Sequence, residues 1–285
     1  MKNVCIVTDS SIQFPKPNFV GRELIHVIPF DVYFDGKIIS NDETMRAKQL
    51  PKIASDSENP HLVPPDPDRI REVFSQLSSQ YEMVFAVFLS REITGFYKNA
   101  FQAIESLQGK SHIQLIDSKT TSAGLGLIIQ RLLDAILAGD DINQIERRLR
   151  KMIPRIYTLI CTPSLSYLHY NHFIEKPQSI ISEMLGIIPI FTLEEGKLSP
   201  IEKVKSQRHA LMYFQEFIEE FDEIEHIAYI QSAKPNFKDA KNFNDSVLSV
   251  FPATAFSKHL INLPLSVLFG PRSNCLIVLE KSPGL

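Results

Sequence analysis

The chain has 285 residues, 44% of them hydrophobic, enough to build two domains or one large one around a sizeable core. Its 33 acidic residues outnumber 30 basic ones, for a formal net charge of -3, so no basic excess offsets nucleic-acid phosphates. The most apolar long stretch, residues 123–138, carries Gln130, Arg131 and Asp134 and is too short and too charged to span a bilayer.

Residues 4–8 form an apolar run expected to be a strand buried on both faces, and it stops abruptly at Asp9-Ser10-Ser11. A second strand is predicted over residues 24–29 and continues through 31–34. Asp35-Gly36 then makes a hairpin turn into 37–39. Residues 55–67 are rich in Pro, Asp, Ser and Asn and read as loop. Asp68 is expected to cap a helix to about residue 81, with Ile70, Val73, Phe74 and Leu77 on one face. A strand at 83–89, a loop at 90–95, a helix at 96–107, a strand at 112–116 and helices at 123–138 and 142–152 follow. This alternation implies a parallel sheet with right-handed crossovers.

The alternation pauses near Pro154. The domain boundary is placed there, giving residues 1–155 and 156–285. Beyond it the sequence predicts a strand at 157–161, short helices at 164–171 and 179–185, and a hairpin of 187–193 with 197–203. A helix at 206–221, a strand at 226–231, a helix at about 236–250 and strands at 253–256 and 275–279 complete a second α/β unit.

Strands that end in Asp9-Ser10 and Asp117-Ser118 put short polar groups where open α/β sheets form ligand crevices. Ser90-Arg91-Glu92-Ile93-Thr94-Gly95 joins a buried strand to a helix. Its hydroxyls suit either plain capping or, with the helix's free N–H groups, a carboxylate or phosphate. Asp9-Ser10-Ser11 reads equally as a cap or as part of the same crevice. No P-loop and no Gly-x-Ser-x-Gly elbow is present, and Gly124-Leu125-Gly126 reads as close helix packing. Cys5, Cys161 and Cys275 are far apart in sequence and read as buried core thiols. No Cys pair joins His169 and His172 in a zinc set. Reduced thiols, and a start that enters a strand without a long apolar leader, set the expectation of a cytoplasmic protein.

Several ordered motifs resemble the DegV family of bacterial fatty-acid-binding proteins. They are Val7-Thr8-Asp9-Ser10-Ser11, Ile28-Pro29, Phe34-Asp35-Gly36-Lys37, and Ser90 with Thr94, Gly95, Tyr97 and Ala100. Ile116-Asp117-Ser118, Gly124-Leu125-Gly126-Leu127 and Pro200-Ile201-Glu202-Lys203-Val204 continue the series. The resemblance implies two α/β domains with mainly parallel sheets and a lipid at their junction. The head-group side falls in residues 1–155 and an acyl-chain pocket in 156–285. It implies a long-chain fatty acid or related lipid as ligand, no cofactor, no metal and no catalytic role. Some members present the acid to a partner fatty-acid kinase.

The departures are specific. Leu62-Val63 replaces a Thr-Ser pair, Leu268 stands at a histidine position, and a Gly-Gly-Arg motif that maps near Asn171-His172-Phe173 is missing, which weakens the implied kinase contact. The resulting expectation is a lipid carrier without nucleic-acid or membrane-spanning function. Thr94, Ser90, Gly95, Ser10 and Ser11 lie at its head-group end, where Leu62, Val63 and Leu268 have become apolar. The rival expectation is an interaction or regulatory protein that kept the fold and lost head-group recognition.

Overall fold

The computed structural model describes residues 4–39, 46–107, 112–235 and 237–282. In chain order, β1 (Val4–Asp9) and β2 (Ile25–Ile28) are followed by β3 (Asp31–Phe34), β4 (Lys37–Ile39) and β5 (His61–Val63). Then come α1 (Pro67–Gln80), β6 (Met83–Phe88), α2 (Phe96–Glu105), β7 (Ile113–Asp117), α3 (Ser122–Ala138) and α4 (Ile142–Met152). The remainder is β8 (Ile156–Cys161), α5 (Leu165–Tyr170), α6 (Lys176–Met184), β9 (Ile188–Glu194) and β10 (Lys197–Val204), then α7 (Gln207–Glu219), β11 (Ile224–Gln231), α8 (Phe237–Val250), β12 (Ala255–Leu260), α9 (Leu263–Phe269) and β13 (Asn274–Glu280).

Two compact α/β units result. One comprises residues 1–31, 63–154 and 195–197; the other 32–62, 155–194 and 198–285. The division near residue 155 expected from sequence therefore has an exception: residues 32–62 leave the first stretch and pack with the second unit. Tyr167 Oη donates to the carbonyl of Pro51 at 2.6 Å, Ala54 N donates to Ser166 Oγ at 3.0 Å, and Val32 and Leu50 share a small core with Val267. Polar loop composition does not reveal such anchoring, because the partners lie more than a hundred residues away.

In the first unit the sheet order is β2-β1-β6-β7, all parallel, with Val7 beside Ala86 and Phe88 beside Asp117. Every residue of β1 and β6 is buried, as their unbroken apolar runs demand of central parallel strands. The connection from β1 to β2 has only a short 3-10 turn, at Arg22–Leu24, so Asp9-Ser10-Ser11 caps no helix. Helix α1 begins two residues earlier than predicted. Asp66, not Asp68, is the cap and accepts from Arg69 N at 2.8 Å, with Pro67 in the first helical position where its missing N–H costs nothing. Helix α3 lies against the loop that follows β1. A Cβ on Gly126 would stand 2.1 Å from the carbonyl oxygen of Gln13, so the glycine permits a close approach.

The second unit corrects the expectation of mainly parallel sheets. Its six strands run β10-β9-β8-β13-β11-β12. The pairs β11–β13, β13–β8 and β8–β9 are antiparallel, and β11–β12 is parallel. Strands buried on both faces carry the same apolar run in either direction, so composition could not decide it. Phe214, Ile218, Ile227, Tyr229 and Phe243 centre the core between this sheet and helices α7 and α8. Helix α9 was not anticipated. It is short, holds Pro264 near its start, and has no polar face to give a periodic signal, since Pro264 through Phe269 are all buried. Strand β5 lies in a stretch read as loop, and it is only three residues long.

Candidate functional site

The carboxyl ends of β1, β6 and β7 lie side by side, and their first loop residues are knitted together. The Asp9 carboxylate is fully buried. Its Oδ1 accepts Ser11 N at 2.8 Å and its Oδ2 accepts Leu89 N at 2.7 Å. Burial pushes its carboxyl above the usual range, against the opposing pull of those N–H donors. Ser10 Oγ accepts from Phe30 N at 3.0 Å, and Ser11 Oγ accepts from Thr121 Oγ1 at 3.4 Å. Ser10 and Ser11 thus fasten neighbouring segments.

Ser90 is also buried. Its N–H donates to Thr120 O at 2.9 Å, its hydroxyl donates to Gly196 O at 2.7 Å, and its oxygen accepts from Glu92 N at 3.2 Å. On β7, Asp117 Oδ1 accepts from Lys119 N at 3.0 Å and from Arg91 N at 3.3 Å.

Thr94 differs. It is half-buried at the head of α2, and its oxygen accepts from Phe96 N at 3.3 Å. That bond spans the turn before α2, whose N-cap is Gly95 with no side-chain cap bond, and it uses only a lone pair of Thr94. Among the described residues the Thr94 O–H has no acceptor. Thr94, exposed Gly95, half-buried Tyr97 and Lys98 line one open depression with Arg91. Among the described residues Lys98 has no carboxylate partner. Its place in this depression went unread in the sequence. A hydroxyl donor, an ammonium and the free N–H groups that begin a helix can together hold a carboxylate.

The apolar candidates belong to other elements. Leu268 is 2% exposed within α9, and half-buried Leu62 packs on the core of Val32, Leu50 and Val267. Val63 ends β5 and is half-buried. At the position of the missing Gly-Gly-Arg, His172 adopts φ 62°, a left-handed conformation that favours glycine, and Asn171 Nδ2 donates to Val267 O at 2.8 Å. Among the described residues no helix is long and apolar enough to cross a membrane.

Two α/β units of this topology have close counterparts among known proteins. Residues 3–281 match the model of a family described as "Uncharacterised protein, DegV family". The chain belongs to the DegV family. A DegV domain-containing protein of Caldanaerobacter subterraneus subsp. tengcongensis is 28% identical over 218 residues, 76% of this chain and 77% of that protein. A fatty acid binding DegV family protein from Streptococcus agalactiae superposes with TM-score 0.85 at 23% identity, covering 99% of this chain and 100% of that one. DegV from Bacillus subtilis, described as a fatty acid binding protein, superposes with TM-score 0.82 at 20% identity over 99% and 100% of the two chains.

Proposed function

We propose that this protein is a non-enzymatic cytoplasmic carrier of a long-chain fatty acid or closely related lipid. The O–H of Thr94, without an acceptor among the described residues and beside Lys98 at the start of α2, carries the reading. It is supported by membership of a family whose solved relatives from Streptococcus agalactiae and Bacillus subtilis are described as fatty acid binding. In this reading Thr94 and Gly95 receive the head group, Ser90, Ser10 and Ser11 hold the surrounding loops, and Leu62, Val63 and Leu268 present apolar surface. Head-group recognition falls to the unit that holds residues 1–31 and 63–154. Each buried methylene is worth about 0.8 kcal/mol, so chain length outweighs head-group contacts in affinity. Docking of a fatty-acid kinase is left out of the reading because Asn171-His172-Phe173 stands where the family has Gly-Gly-Arg.

One observation favours an interaction protein that lost its ligand: the oxygens of Ser10, Ser11 and Ser90 all take hydrogen bonds within the fold, and the Ser90 hydroxyl also donates to Gly196 O. Native mass spectrometry of the purified protein, followed by denaturing extraction, separates the two. A stoichiometric long-chain acid is expected. No bound mass, together with failure to load added lipids, sinks the carrier reading.

A further inference from the structure

A cavity of different character lies wholly within the second unit. It has a volume of about 290 Å³ and opens where β11 ends and α7 begins. Lys48, Lys52, Lys234 and Arg272 line it, and among the described residues no lining residue is acidic. Among the described residues none of the four cations is paired with a carboxylate. In a chain of net charge -3 this is a local inversion of sign. A concave wall focuses such a field onto an entering anion.

The floor is preorganised. Ser232 N donates to Asn274 Oδ1 at 2.9 Å, Asn274 Nδ2 donates to Gln207 Oε1 at 2.6 Å, and Gln207 Nε2 reaches Arg272 O at 3.5 Å. Ala233 N donates to Pro271 O at 2.8 Å. This relay fixes the loops that bear Lys234 and Arg272 against the start of α7, so little backbone ordering remains to oppose binding. Gln231, 7% exposed, lines the same cavity, and among the described residues its buried Oε1 has no hydrogen-bond partner. Leu50, Leu211 and Tyr229 add an apolar wall.

We propose that this cavity binds a phosphomonoester with a small apolar body. A phosphate head carries close to two charges and takes charge-assisted hydrogen bonds from several Lys and Arg donors at once, whereas a single carboxylate leaves most of four cations unmatched. The site does not depend on the fatty-acid reading.

Calorimetric titration of the full chain with phenyl phosphate, inorganic phosphate and benzoate tests it. Phenyl phosphate is expected to bind most tightly, and more weakly as salt rises. The double variant Lys48→Gln/Lys52→Gln, and separately Arg272→Gln, are expected to weaken it about tenfold or more while the melting temperature stays put. Lipid content measured on the same variants keeps this outcome separate from the fate of the carrier reading. Cosedimentation with phosphatidylcholine vesicles containing phosphatidate distinguishes the source: binding to vesicles alone, lost in the double variant, assigns the phosphate to a lipid. The proposal is overturned if neither phenyl phosphate nor the vesicles bind, or if the variants leave binding unchanged.

Discussion

The Asp9 carboxylate accepts the backbone N–H of Leu89 at 2.7 Å, linking the end of β1 to the residue that follows β6 across 80 positions of sequence. Its other oxygen holds Ser11 N. Asp9→Ala leaves two buried N–H groups without an acceptor and is expected to cost about 3 kcal/mol in urea unfolding. Asp9→Asn keeps one acceptor and is expected to cost less. A wild-type midpoint retained in Asp9→Ala would show that solvent reaches both donors.

The same carboxyl carries a pH dependence. Burial raises its folded pKa above the ordinary 3.8. The folded state therefore favours the protonated form. Its contribution is fully present below 3.8 and is lost as pH rises through the folded value. The stability of the wild type relative to Asp9→Asn is expected to fall as pH rises above 3.8, measured as paired urea midpoints. A difference that grows with pH would reverse the assignment.

For Thr94 the expected effect is small. Thr94→Val removes one hydroxyl donor but leaves Lys98 and the helix amides, so fatty-acid affinity should drop about tenfold or less, as for one hydrogen bond. Competition with a fluorescent fatty acid measures it. Complete loss of binding would mean that the head group, not the chain, dominates affinity.

Gly126 inside α3 and Gly139, the C-cap that ends it, make a contrasting pair. A Cβ at Gly126 meets a backbone carbonyl at 2.1 Å, whereas one at Gly139 meets nothing within 4 Å and suffers only from its φ of 81°. Gly126→Ala is expected to cost about 2–3 kcal/mol, and Gly139→Ala about 1 kcal/mol. Thermal melts that rank them the other way would refute the close approach of α3 to the Gln13 loop.

Ser257 Oγ stands between two imidazoles, 2.9 Å from His226 Nε2 and 3.1 Å from His259 Nε2. Ser257→Ala should cost about 1–2 kcal/mol near neutral pH. Burial lowers the His259 pKa below 6.5, so the unfolded chain binds the proton more readily. That contribution is present above 6.5 and is lost as pH falls toward the folded value. Urea midpoints across this range should drop more steeply for the wild type than for His259→Gln.

Much of the first unit was readable because its signals are local. Residues 83–88 are apolar without interruption, as a strand covered on both faces requires, and Asp9 and Asp117 mark strand ends by composition. What the local signals missed is where the polar groups turn. Ser90 reads as a free hydroxyl, but its partner is the carbonyl of Gly196, 106 positions away, and Ser10 similarly serves Phe30. Strand direction in the second unit was hidden for a related reason: β13 returns antiparallel between β8 and β11, and nothing in Cys275-Leu276-Ile277-Val278-Leu279 records its neighbours.

The placement of residues 32–62 has a consequence for the order of events during synthesis. Leu50 reaches its core partner Val267 only after more than two hundred further residues have been polymerised. At roughly 5–20 residues per second that is a wait of about ten to forty seconds. Meanwhile residues 63–154, which follow directly, have every partner needed for the parallel sheet except β1 and β2, already made. The nascent chain is thus obliged to finish its first unit around a dangling apolar segment, and a ribosome-bound chain halted before residue 267 should show that segment open to protease.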